Sequence, residues 1–373
     1  MAPGPRLGSG LSPDIAIVLS ITNNKLSNTR LLNFRTTWME HAHTKCNGTV
    51  IPEFTFVGFP GLIRVPELIG VTFLVTYVLT LFGNFFIFYV IKKQETLQTP
   101  MFIIICNLAL SDIIYSTVIT PKIIQTYLFG YNSIQFHMCF LQMYFLHFAG
   151  SVDSYIMLVM AIDRYISICY PLRYPALITN KNAQKMCFTA WILGAITPLT
   201  PVIQALVLPF CGSNMIPLLY CEIGTVVRLA STDTTFNQQM GSSFGNLVLI
   251  GLFLLILLSY LKIIVSVMKI ATSGNRMKAA YTCSTQIIVI FIYFLPRLFV
   301  YIASTAGLFI PGDLRVSLGV LYCLLPPLVN PLIYSFRTKE IKQFILKQLN
   351  TRNIYCSIKF RLIHEHILYE LLN

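Results

Sequence analysis

The sequence predicts an all-α membrane protein: a bundle of seven transmembrane helices with the N-terminus outside and the C-terminus inside. Three observations carry that expectation. Charged residues make up only 11% of 373 residues while 55% are hydrophobic, and the mean hydropathy is +0.69. Soluble domains carry about 25% charged residues, so most of this chain needs a solvent other than water. Seven long apolar runs follow one another, and the basic residues gather in alternate loops between them.

The runs are Leu68–Ile91, Met101–Ile119, Phe140–Ile162, Met186–Leu208, Ser243–Val267, Thr285–Phe309 and Val316–Phe336. Each is long enough, at 1.5 Å per residue, to cross a hydrocarbon core of about 30 Å. Without water to satisfy the backbone, a helix is the form such runs must take. Lys and Arg set the orientation. Lys92 and Lys93 follow the first run, and Arg164, Arg173, Lys181 and Lys185 separate the third and fourth. Lys262, Lys269, Arg276 and Lys278 separate the fifth and sixth; Arg337, Lys339, Lys342 and Lys347 follow the seventh. The opposite loops hold little more than Lys122, Arg228 and Arg315. Asn47-Gly48-Thr49, a glycosylation sequon, precedes the first run on the outer side. Cys139 and Cys221 also fall outside, where a disulfide suits the oxidising compartment.

Ionisable groups within spans are costly and call for a functional reading. Asp112 lies about 17 Å into the second run by helical rise, and Asp153 lies about three turns above Arg164. Asn84 and Asn330 reach comparable depth in the first and seventh runs. One buried polar cluster on four helices is expected, holding sodium or water and rearranging on activation; a static hydrogen-bonded staple is the alternative. Asp163-Arg164-Tyr165 ends the third run at the cytoplasmic surface. Arg164 can pair with its neighbour there, or with something entering from the cytosol. Asn330-Pro331-Leu332-Ile333-Tyr334 ends the seventh run, and Pro331 removes a backbone bond beside the polar cluster. Such a deformable point suits a two-state bundle.

With these residues in view, the chain from about Val57 to Lys347 resembles the odorant receptor family of rhodopsin-like G-protein-coupled receptors. Gly83-Asn84, Leu108-Ala109-Leu110-Ser111-Asp112, Asp163-Arg164-Tyr165 and Asn330-Pro331-Leu332-Ile333-Tyr334 are general receptor marks. Leu97-Gln98-Thr99-Pro100-Met101-Phe102, the stretch from Met160 to Cys169, Ser259-Tyr260, and Lys278-Ala279-Ala280-Tyr281-Thr282-Cys283-Ser284 are the more specific ones. An acid at Asp153 fits, although the family more often has Glu. The resemblance pairs Cys139 with Cys221. It also implies a third outer-loop cysteine where Ser231 stands, which leaves Cys211 without its usual partner. Gln286 occupies a position where His is frequent.

The resemblance implies ligand binding in the outer half of the bundle, between the third, fifth and sixth spans. Counting up the third helix from Asp153 gives Gly150, Leu146, Met143 and Gln142 on the inward face, with His147 beside them. Tyr293, Arg297, Val300 and Ser304 share a face of the sixth. An apolar pocket with few polar groups suits small odorants. Arg297 stands out: it can bind a carboxylate or sulfate bidentately, or instead snorkel to the headgroups or pair with Glu222. The expected mechanism is a population shift in which agonist binding favours a bundle whose sixth helix has swung outward. That motion opens a basic inner cleft around Arg164 to a heterotrimeric G protein, by resemblance a stimulatory olfactory one that raises cAMP.

The net charge of +13 is distributed as membrane orientation requires and implies no nucleic acid. No acid occurs between Cys139 and Val152, where an amine receptor would need one, and the seventh run has no lysine for retinal. No half-to-half repeat marks a transporter, and no nucleophile elbow, phosphate loop or metal-ligand cluster marks an enzyme. A non-olfactory chemoreceptor of the same fold, or a seven-span transporter, are the alternatives. No cofactor is expected, and no metal beyond sodium. The partners expected are an odorant, a G protein and the lipids of the plasma membrane. Residues 1–56 are expected as a disordered extracellular segment without a cleavable signal peptide, 57–337 as the bundle, and 338–373 as a cytoplasmic tail with a short amphipathic helix. The first 45 or so residues and the tail beyond Thr351 have no counterpart in the family.

Overall fold

The computed structural model describes residues 51–59, 65–269, 273–305, 308, 311–337, 341–344 and 346–347. Within them, helices follow the seven expected spans in order. They are α1 (Pro66–Lys93), α2 (Pro100–Phe129), α3 (Phe136–Cys169), a short inner α4 (Tyr174–Leu177), and α5 (Asn180–Ile196) continued by α6 (Leu199–Leu206). A short outer α7 (Ile223–Val227) precedes α8 (Thr235–Met268), α9 (Ser273–Thr305) and α10 (Gly312–Arg337). Six spans are apolar enough to cross a membrane by length and composition, the fourth formed by α5 and α6 together; α9 contributes the shorter apolar stretch Gln286–Val300.

The helices outrun the apolar runs because a helix can continue past the hydrocarbon edge. α2 passes through Pro121 and Lys122 to Phe129 and stops at Gly130, whose φ of 73° is a left-handed cap that a side chain would strain. α5 begins behind Thr179, whose hydroxyl accepts from the Asn182 amide at 3.2 Å. The fourth span breaks near Pro198 and Pro201, residues that bring no backbone N–H to the helix.

Large apolar side chains cover the outside of the bundle. Leu68, Val75, Phe82 and Phe85 on α1 and Leu247, Leu254 and Leu258 on α8 are exposed. Water would not tolerate that surface, and lipid does. Two buried clusters fill the interior, one towards each end. Phe102, Ile156, Met160, Tyr260, Phe294 and Tyr334 belong to the inner cluster. Phe54, Phe136, Met143, Phe210, Tyr220 and Cys221 belong to the outer one. Helices pack closely where glycine allows it. A Cβ on Gly194 would stand 2.4 Å from Val152 Cγ2, and one on Gly83 would stand 2.8 Å from Pro331 Cγ.

The outer end carries a small sheet. Its central strand, β1 (Glu53–Phe56), runs antiparallel to β2 (Ser133–Gln135) and parallel to β3 (Met215–Ile216). Residues 53–56 thus depart from the disorder expected of 1–56. Alternation explains this, because Phe54 and Phe56 turn inward while Glu53 faces water. Phe54 packs against Phe136 and Phe210 at ring-centroid distances of 5.7 Å.

Cys139 and Cys221 form a disulfide, with Cα atoms 5.5 Å apart, that ties the second outer loop to the start of α3. Cys211 is also disulfide-bonded. The family position of its usual partner is filled as the sequence suggests: Ser231 Oγ accepts from the Cys211 amide at 3.1 Å. Asn47 lies outside the described residues, as does most of the 338–373 tail. Residues 341–344 are helical, with Ile341 and Phe344 buried against the inner cluster.

Candidate functional site

A cavity of about 520 Å³ opens in the outer half between α3, α8, α9, α10 and the second outer loop. From α3 it is lined by Leu146, His147, Gly150, Ser151 and Ser154. Arg297 and Val300 face it from α9, Phe244 and Val248 from α8, and Gly319 and Tyr322 from α10. Five of the residues expected from helical counting are therefore in its wall. Gln142 and Met143 are not. Gln142 is a clamp: its amide nitrogen donates to the Val118 carbonyl at 3.0 Å, and its oxygen accepts from the Cys221 amide at 3.0 Å. Met143 is fully buried in the outer cluster. Tyr293 lies under the floor, its hydroxyl bonded to Ser154 Oγ at 3.0 Å and to the Gly150 carbonyl. The side chain of Ser304 lies outside the described residues.

Arg297 is only 7% exposed and neither snorkels nor reaches Glu222. Its guanidinium donates to Tyr115 Oη at 2.8 Å and lies 4.0 Å from the Tyr293 ring centroid, with Tyr115 and Tyr322 at 5.2 and 5.6 Å. Three aromatic faces thus hold the cation. Gly150 lies beside it: a Cβ there would stand 3.5 Å from one guanidinium nitrogen, an ordinary contact distance, and 3.3 Å from Tyr115 Cε2. Glu222 is engaged elsewhere, capping α7 by accepting from the Gly224 amide at 2.9 Å and the Thr225 amide at 2.8 Å.

Loop residues roof the cavity. Tyr220 is buried and shares a 2.7 Å hydrogen bond with Tyr322 of α10; its burial pushes the phenol well above its usual pKa and keeps it neutral. A Cβ on Gly319 would stand 2.7 Å from that hydroxyl, so glycine at 319 lets the Tyr220 phenol sit where it does. Leu218, Tyr220, Glu222, Val227 and Arg228 all line the cavity without having been legible as pocket residues. Periodicity locates helix faces, and a loop offers none.

Below the cavity, Asn330 donates to Asp112 Oδ2 at 2.9 Å. Asn84 donates to the Thr80 carbonyl and to the Pro327 carbonyl, both at 2.9 Å. The second bond has a local cause. Pro331, four residues on, has no N–H, so the Pro327 carbonyl lacks its helical donor and Asn84 supplies one. Asp112 Oδ1 and Asp153 Oδ1 are buried without a hydrogen-bond partner. All four expected polar residues are buried.

At the inner end, Asp163 does not pair with Arg164. Its carboxylate accepts from Tyr174 Oη at 2.8 Å, and burial plus that carboxylate push the Tyr174 phenol up, keeping it a donor. Arg164 turns instead to the sulfur of Met101 at the start of α2, while its Nε has no partner. Tyr165 stacks edge-on with Tyr170. Tyr334 Oη reaches the sulfur of Met160 at 3.8 Å. Gln286, where the family often has His, accepts from Tyr260 Oη at 2.7 Å and so joins α8 to α9. Among the described residues, no group of His, Cys, Asp and Glu is arranged to hold a metal ion.

Comparison with known proteins gives the family. The olfactory receptor family model matches residues 73–352. Human relatives include olfactory receptor 10G7, 36% identical over 82% of this chain and 97% of its own length. Olfactory receptor 10G4 is 35% identical over 81% and 96%, and olfactory receptor 6N1 is 34% identical over the same shares. The family match runs from within the first span through the seventh, and the chain belongs to the olfactory receptor family.

Proposed function

We propose that this odorant receptor binds small molecules in the outer cavity and passes the signal through the polar cluster to Arg164. There it activates a stimulatory olfactory G protein at the plasma membrane. The observation that carries the reading is the cavity itself: a space of about 520 Å³, within the range of small-molecule sites. Its floor shares residues with the helix-to-helix contacts of the mid-membrane region.

The route is short. Gly150 and Ser154 belong both to the cavity wall and to the Tyr293 hydrogen bonds that join α3 to α9. A ligand that prefers one spacing of α3 and α9 therefore biases the whole bundle. Asp112 and Asp153, each with one unpartnered buried oxygen, suit a sodium ion or waters that leave as the helices shift. At the inner end the contact that holds Arg164 among the described residues is a thioether, a weak acceptor, so little there opposes its release to a partner. Leu172, 97% exposed in the loop beside it, offers that partner an apolar contact.

The test is a cAMP recording in cells that express the receptor with an olfactory G protein, against an odorant panel. Arg164→Ala should abolish the response at unchanged surface density. A full response in that variant would remove Arg164 from the coupling route and with it this reading of the inner end.

A further inference from the structure

The geometry points to an acidic ligand: a small organic carboxylate or sulfate whose anionic group rests on Arg297 and whose second polar group meets His147. This rests on the cavity being the odorant site. Three observations support it independently of the family.

First, Arg297 is a buried cation with donors to spare. Among the described residues no carboxylate lies within the 4.0 Å of an ion pair, and the guanidinium is engaged by phenols, donating to Tyr115 at 2.8 Å and lying against Tyr293. Five N–H groups fan out from a guanidinium in a fork that matches two carboxylate oxygens. Aromatic faces steady the charge but do not neutralise it, so an anion at the cavity floor gains a charge-assisted bidentate contact away from bulk water.

Second, His147 lines the same cavity, and its Nε2 is shielded from solvent with no hydrogen-bond partner. Buried polar atoms are rarely left so. His147 sits three residues before Gly150 on α3, and Gly150 is the residue against which Arg297 lies. The two anchors are thus separated along α3 by about 4.5 Å of helical rise. A hydroxyl or carbonyl a few bonds from the acid reaches His147, while the rest of the ligand contacts Leu146, Phe244 and Val248.

Third, the charge of the cavity favours anions before contact. Arg228, Arg297 and Arg315 line it against the single acid Glu222, whose oxygens are already occupied by the α7 amides and the Thr225 hydroxyl. A cleft of one sign raises the local concentration of ligands of the other.

The rival reading makes Arg297 a counter-charge to Asp153, one turn deeper on α3. The two readings separate by experiment. The full-length receptor, purified in nanodiscs, is titrated at neutral pH with aryl and alkyl carboxylates of roughly six to twelve carbons, sizes suited to this cavity. Each acid is paired with its methyl ester, and thermal stability is followed.

Some acids should raise the melting temperature saturably, with their esters about 10- to 100-fold weaker, the loss expected for a charged hydrogen bond. Arg297→Gln should erase the preference and Arg297→Lys should keep part of it. His147→Phe should remove only the advantage of hydroxylated acids over their unhydroxylated counterparts. Esters binding as tightly as acids would overturn the proposal without any variant, as would acids that shift the melting temperature nowhere in the series. If Arg297→Gln merely destabilises the unliganded receptor and preserves the acid preference, Arg297 serves Asp153 and the proposal falls. A receptor driven to signal by neutral odorants alone would end the acidic assignment and leave the odorant reading intact.

Discussion

The outer and inner ends of the bundle are held together in different ways. Outside, the first and second outer loops and the N-terminal strand share one sheet, a disulfide fixes the second loop to α3, and Tyr220 bonds across to α10. Inside, Arg164 meets a thioether, Tyr334 meets another, and Asp163 is tied to the α4 turn instead of to a neighbouring span. Strong, directional links preserve a cavity whose shape must be ready before the ligand arrives, since pre-organisation lowers the cost of binding. Weak links at the other end can break when a partner offers slightly better ones. The polar cluster lies between, with the amide nitrogens of Asn84 and Asn330 hydrogen-bonded and two carboxylate oxygens left without partners.

That contrast can be broken most severely at the outer end. Cys139→Ser should cost about 2–5 kcal/mol, the usual loss for a structural disulfide, and surface staining should fall to background. Surface expression at the native level would show that the sheet alone holds the loop. In the middle, Asn84→Leu leaves the Pro327 carbonyl without a donor. The penalty is about 1–3 kcal/mol, seen as a lowered melting temperature of the purified receptor. An unchanged melting temperature would mean that water replaces the amide.

At the inner end, Leu172→Asp should leave folding intact, because the side chain is exposed, while reducing the maximal cAMP response several-fold. Equal maxima would show that this loop does not meet the G protein. The smallest effect belongs to Cys211. Cys46 precedes the first span on the outer side, where Cys211 lies, while Cys356 follows the seventh. Non-reducing peptide mapping should join Cys46 to Cys211, and Cys46→Ser should lower stability less than Cys139→Ser. A Cys211 peptide released intact without reductant would contradict this.

Much of the candidate site was legible before any fold was known. Asp112, Asp153, Asn84 and Asn330 announced themselves because polar groups within apolar runs are conspicuous and helical rise converts sequence position into depth. Leu146, His147, Gly150, Arg297 and Val300 followed from counting turns. The same counting placed Gln142 and Met143 on the inward face, which is correct as to direction, yet the wall at their level is closed by Cys221 and the outer loop. Arg297 was readable as a cation within a span, but the choice between lipid headgroup, Glu222 and cavity was not. Glu222 turned out to be an N-cap, and capping depends on how a loop turns into α7.

Composition, the seven apolar runs and the basic loops were enough by themselves to determine the class of fold and the expected direction of the chain through the membrane, while the family followed from the motifs those runs carry. These are one-dimensional properties: the bilayer sorts segments by hydropathy and loops by charge, with no reference to what each helix touches. Tertiary structure alone decided which polar groups are satisfied and which remain open. Whether Asn84 finds the carbonyl that Pro331 leaves bare, or Tyr220 finds Tyr322 over the bare face of Gly319, depends on atoms hundreds or scores of residues apart meeting within 3 Å. No local pattern encodes such distances; packing sets them.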